Sequence, residues 1–167
     1  VDSGLITVAQ LLAVRASAQL ARSGAGLDMV ARFAEAIAGR CTFYALLDTL
    51  DYLKREGRIG GLAAILGGLL SVKPIVSVRA GELALAARVR SRARGLERLA
   101  ELTLQHQPFD GPIVVAHSRA PAVAEALRAM LLAECPNTEI LVCELGPVVG
   151  THAGPGAVGT GVLWRAG

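Results

Sequence analysis

Two short apolar runs separated by one helix-length segment constrain this chain more than any other feature. Residues 112–116 read PIVVA and residues 139–145 read EILVCEL, each an apolar, β-branched stretch of strand length. Between them His117-Ser118 leads into a helix predicted from Arg119 to Glu134. Pro121 falls in its first turn, where a missing N–H costs little. Strand, helix and strand in that order make a βαβ unit with a right-handed crossover. Such a unit needs a sheet covered by helices, which points to an α/β fold.

The remaining segments extend that sheet. Leu5, Val8, Leu12, Ala16 and Leu20 recur every three to four residues and predict a helix that Ser23-Gly24 ends. A second helix is predicted from about Asp28 to Ala38, with Met29, Phe33 and Ile37 on one stripe. Thr42 to Leu47 (TFYALL) reads as a buried strand, followed by a short helix from Thr49 to about Arg55 that ends at Gly57. After Lys73-Pro74, Ile75–Val78 and Glu82–Val89 form a hairpin around Ala80-Gly81. Ser91 caps a helix reaching about Gln105, and Ala157–Trp164 supplies the last strand. The expected architecture is α/β: a two-layer mixed β-sheet of about six strands packed with helices, forming one domain.

Hydrophobic residues make up 53% of the chain and aromatics 4%, so the core rests on Leu, Val, Ile and Ala. A net charge of +3 with no long basic block, and no aromatic interleaving, argues against nucleic acid. Cys41, Cys135 and Cys143 form no CxxC pair and sit in apolar stretches, as small buried hydrophobes do in a reducing cytoplasm. Val1-Asp2-Ser3-Gly4 is not the start of a signal peptide, and without an initiator Met the chain is expected to begin inside a longer polypeptide. Residues 59–72 (IGGLAAILGGLLSV) fall short of the ~20 apolar residues that cross a bilayer.

Three patterns carry the chemistry. The first runs from Asp48 to Gly60 (DTLDYLKREGRIG). The second runs from Leu69 to Ile75 (LLSVKPI), followed by the Gly81 turn and the Arg88/Arg90 pair. The third runs from Gly146 to Ala157 (GPVVGTHAGPGA). In this order and at these separations they resemble the DegV family, the Gly-Pro-x-x-Gly-Thr-His-x-Gly-Pro-Gly run being the most diagnostic. The resemblance implies a two-lobed α/β protein holding a long-chain fatty acid between its lobes. It also implies a separate fatty-acid kinase that phosphorylates the presented carboxylate, so that the carrier is not itself an enzyme. The Thr-Ser-Gln-Pro and Ser-Gly-Thr-Tyr motifs of the family's N-terminal lobe are absent from these residues. On this reading 1–167 is the C-terminal lobe, 1–40 is a helical segment following the missing lobe, and a second chain or the rest of the polypeptide completes the protein.

The residues themselves agree with an anion site in the third pattern. Gly150, Gly154 and Gly156 suit a tight loop with N–H groups pointing inward, beside the Thr151 hydroxyl and the His152 imidazole. A buried carboxylate is tolerable only when it is hydrogen-bonded. The plainer alternative is a Gly-rich turn whose histidine bonds a backbone carbonyl. Arg58 either reaches the anion, orients His152, ties down a helix terminus or faces a partner. Leu62, Ile65, Leu66, Leu69 and Leu70 form an acyl-chain lining or a gate that opens towards a membrane, or else an ordinary core helix. His106 and His117 read as structural. Asp48 has no serine or cysteine nucleophile paired with it, so no hydrolase triad is expected. Arg88, Arg90, Arg92, Arg94 and Arg98 form a solvated face, or a patch for anionic lipid or an acidic partner. No cofactor or metal is expected. The competing functions are a dihydroxyacetone-kinase-like substrate-binding subunit, which would need its phosphoryl chemistry elsewhere because no Walker loop is present, and a non-lipid interaction domain.

Overall fold

The computed structural model describes residues 1–60, 62, 72–79 and 81–165. Its elements, in chain order, are α1 (Thr7–Arg22), α2 (Leu27–Ala38), β1 (Cys41–Leu46), α3 (Asp51–Arg55), β2 (Lys73–Arg79) and β3 (Glu82–Val89), then α4 (Arg92–Leu104), β4 (Ile113–His117), α5 (Pro121–Glu134), β5 (Ile140–Glu144), α6 (Pro147–Ala153) and β6 (Val158–Leu163). The six strands form one mixed sheet in the order β3-β2-β1-β6-β4-β5. β4 and β5 run parallel on either side of the α5 connection, as the βαβ pattern requires, and the other pairings are antiparallel.

Alternation along the strands explains why both faces are covered. Cys41, Phe43 and Ala45 of β1 point into one core with α1, whereas Tyr44 and Leu46 point into the other beneath α4 and α5. Leu99 and Leu102 of α4 and Ala124, Leu127 and Leu131 of α5 line that second core at helical spacing. Helices thus lie on both faces of the sheet rather than in a single layer.

β6 is the strand that joins the two halves, and its glycines show how. A Cβ at Gly161 would lie 2.7 Å from Val8 Cγ2 and 3.1 Å from the Val8 carbonyl carbon. The α1 backbone therefore rests directly on the strand, a close approach that only glycine permits.

The predicted strands and long helices fall within a few residues of the observed ones. The exception is α6, which the sequence presents as an irregular Gly-rich loop. Gly150, Val148 and Val149 are poor helix formers. Pro147 in the first turn and a Thr151 Oγ1 hydrogen bond to the Pro147 carbonyl (2.7 Å) accompany the helix there.

One ionic cluster ties four elements together at one end of the strands β1, β2 and β6. Asp48, just past β1, accepts from Lys73 Nζ (2.6 Å) and from Arg92 Nη1 at both carboxylate oxygens (2.9 and 2.7 Å). Arg92 Nη2 also donates to the Gly156 carbonyl, which binds the first turn of α4 to the loop before β6. Partial burial alone would raise the Asp48 carboxyl, but the hydrogen bonds and charges of Lys73 and Arg92 outweigh it and hold the group below the usual carboxylate value.

Two outcomes follow. Gly161→Ala is expected to destabilise the fold by about 1–3 kcal/mol in urea unfolding, because its methyl group meets Val8 Cγ2 and, behind it, the α1 backbone, which cannot give way. Asp48 has a folded pKa below its unfolded value near ~3.9, so its contribution is complete above that value and lost as pH falls through the depressed one. Asp48→Asn should therefore lower the melting temperature by about 2–4 °C at pH 7, the pair being partly solvent-screened, with the gap from wild type closing below about pH 4.

Candidate functional site

The strand alternation that sends Phe43 and Ala45 towards α1 also leaves a cavity of about 530 Å³ on that side of the sheet. Its floor is aliphatic and aromatic: Phe43, Ala45 and Leu47 along and just beyond β1, Val76 and Val78 on β2, and Leu83 on β3. Leu53 of α3 and Val148, Val149 and Ala153 of α6 form its sides. The polar side chains in the lining are Arg58, His152 and Glu82.

Arg58 follows α3 directly, and its N–H is fixed on the Leu53 carbonyl at 2.8 Å. Its guanidinium makes no hydrogen bond or ion pair with any described residue. His152 lies in the last turn of α6, half-buried, with Nδ1 out of reach of solvent and without a hydrogen-bond partner among the described residues. Arg58 is exposed at the cavity and always charged, while the buried His152 Nδ1 is a group that is normally hydrogen-bonded; together beside an apolar cavity they suit the head of an amphipathic anion.

The glycine loop does different work from the expected one. Gly150 lies within α6 and its N–H bonds the Gly146 carbonyl (2.9 Å). The N–H of Gly154 bonds Gly150 O (2.9 Å) and that of Gly156 bonds Ser118 O (2.7 Å). All three donors are engaged by the fold, so they do not form an anion cradle. Gly154 and Gly156 instead have φ of 76° and 87°, which lets the chain leave α6 and turn into β6. Thr151 is exposed and absent from the cavity lining, its hydroxyl bonded to Pro147. Leu62 is buried in the core on the same face of the sheet. Ile65, Leu66, Leu69 and Leu70 lie outside the described residues.

The other candidates belong to the framework. His117 Nδ1 accepts the Ala120 N–H (3.4 Å) at the start of α5, and His106 Nε2 lies 3.0 Å from the Tyr44 hydroxyl. Arg92 is not part of a solvated face but the link between Asp48 and the Gly156 loop. Arg94 and Arg98 pair with Glu97 and Glu101 on their own helix. Burial pushes the Cys41 thiol up to about 11 against the lowering charge of Arg40, and burial also raises Cys135 and Cys143, so none is poised as a thiolate nucleophile. Among the described residues no three His, Cys, Asp or Glu side chains could hold a metal, and no helix is long and apolar enough to cross a membrane.

A second cavity, about 670 Å³, lies between α1 and the loops flanking β4 and β5. It is larger but more polar. Its charged residues include Arg15 and Glu139, paired at 3.5 Å, and Asp110, paired with Arg40 at 3.2 Å. Its lining is about evenly polar and apolar, and among the described residues its one cation, Arg15, is paired, so the mainly apolar first cavity is the better ligand site.

Sequence reasoning found Arg58 and His152 but not Tyr52, whose ring packs on Gly154, nor the Asp48–Arg92 link. Both contacts join segments far apart in sequence, and no spacing rule signals them.

Comparison with known proteins places these features in a family. Residues 1–165 match the family described as "uncharacterised protein, DegV family". A DegV domain-containing protein of Streptomyces coelicolor is 36% identical over 169 residues, covering 99% of this chain and 59% of that protein. One from Deinococcus radiodurans is 36% identical over 162 residues, covering 95% of this chain and 57% of that protein. The chain therefore spans less than two thirds of the length of these relatives. Among solved structures, a fatty-acid-binding DegV family protein of Streptococcus agalactiae superposes with a TM-score of 0.89 at 28% identity, over 99% of this chain and 59% of its own. A DegV family protein of Thermus thermophilus, described for its fatty acid binding, gives 0.89 at 29% identity over 99% and 60%. With residues 1–165 matched to the family and 36% identity to a member over 99% of its own length, the chain belongs to the DegV family.

Proposed function

We propose that this chain is the head-group-binding part of a long-chain fatty-acid carrier. The observation that carries the reading is the pairing of an apolar cavity of about 530 Å³ with two polar groups that lack partners among the described residues, Arg58 and His152 Nδ1. Burying an acyl chain is favourable by about 0.8 kcal/mol per CH₂, so an aliphatic wall can supply most of the affinity while the two polar groups fix the carboxylate. The fatty acid binding described for the Streptococcus and Thermus proteins supports the same reading.

The cavity in this chain is one wall of the complete site. Val148, 73% exposed at its edge, is an apolar rim residue that a covering segment would bury. We assign that cover to polypeptide corresponding to the remaining length of the relatives, either in the same chain or in a second one. The carrier itself performs no chemistry: it presents the carboxylate to a cytoplasmic fatty-acid kinase. Thr151 supports the helix that bears His152 and touches the carboxylate less than Arg58 does, because its hydroxyl already donates to Pro147.

Lipid extraction and mass spectrometry of the complete protein test the carrier function. A long-chain fatty acid in the extract is expected, and a preparation that neither contains nor takes up one overturns the reading. Arg58→Ala and His152→Ala should each weaken binding of a long-chain fatty acid by about tenfold or more, as loss of a charge-assisted hydrogen bond does. Thr151→Ala should change it by less than about threefold.

A further inference from the structure

Arg58 and His152 stand on different elements, and nothing in either element alone sets the distance between them. Arg58 is fixed to the end of α3 by its N–H bond to Leu53 (2.8 Å), and His152 is fixed within α6 two residues before Gly154. α3 and α6 touch, and Tyr52 makes an intimate contact there. Its ring fills the space that a side chain at position 154 would take: a Cβ on Gly154 would fall 2.5 Å from Tyr52 Cε2. The guanidinium of Arg55, one turn along α3, stands 5.9 Å from the ring centroid. Tyr52 is absent from the cavity lining, and its hydroxyl has no hydrogen-bond partner among the described residues, so the ring surface rather than the hydroxyl makes the contact.

We propose that Tyr52 is a positioning residue: its ring, seated on the bare backbone of Gly154, sets the spacing between Arg58 and His152 and with it the preference for a carboxylate head. A larger residue at 154 would drive α3 and α6 apart, and a smaller one at 52 would let them close or shift. Either change leaves the apolar floor on β1, β2 and β3 in place. The tail should then bind nearly as before while the head-group preference falls. This inference rests on the fatty-acid site proposed above.

The test compares palmitic acid with hexadecanol, which share a tail and differ in the head, in the complete protein and three variants. Tyr52→Phe should retain the wild-type preference for the acid. Tyr52→Leu and Tyr52→Met should each lower the acid-to-alcohol affinity ratio by about tenfold, with hexadecanol affinity held within about threefold. Tyr52→Met removes the same ring contact and decides the question if Tyr52→Leu does not fold by circular dichroism. Proportional loss of both affinities would make Tyr52 a packing residue only and overturn the proposal, as would an unchanged ratio in both variants. No preference for the acid in the wild type would instead remove the head-group site itself.

Discussion

The sheet depends on β6, which lies between β1 and β4, so that the antiparallel half of the sheet and the βαβ half meet only through it. Its neighbours are far away in sequence, and the strand can seat only if α1 lies almost on its backbone. Gly161 makes that approach possible. The same strand anchors the loop after α6, because Gly154 and Gly156 run directly into it. Whatever fixes β6 also fixes where His152 ends up.

Charge is distributed in two contrasting ways at this end of the strands. Around Asp48, two cations and a carboxylate satisfy one another and clamp the Gly156 carbonyl. Within it Arg92 Nε is buried and has no hydrogen-bond partner among the described residues. Arg58 and His152, on the cavity side, have no such complement among the described residues. Arg58 is exposed and reaches solvent, whereas His152 Nδ1 is buried, where a polar atom is ordinarily hydrogen-bonded.

The fold was largely legible in the residues because its signals are local. Residues 112–145 announce strand, helix and strand through period and punctuation, and Ser91 caps α4 by accepting the Arg94 N–H at 3.3 Å, as its position suggests. α6 was not legible. Its seven residues include glycine and two valines, and their intrinsic preference opposes a helix that the surrounding structure accommodates. Arg92 was equally hidden: a basic run looks solvated until the fold brings Asp48, forty-four residues earlier, within 2.7 Å.

The sequence by itself determined the α/β class, the approximate bounds of the strands and long helices, and the residue types of the site, since hydrophobic period, caps and breakers act over a few residues. Tertiary structure alone decided which of those residues meet. It brought Arg58 and His152 to one apolar cavity, engaged the glycine N–H groups with carbonyls, turned Thr151 outward and set Tyr52 on Gly154. The physical reason is that each of these outcomes depends on packing between elements distant in the chain, where backbone contact distances, not local propensities, select the arrangement.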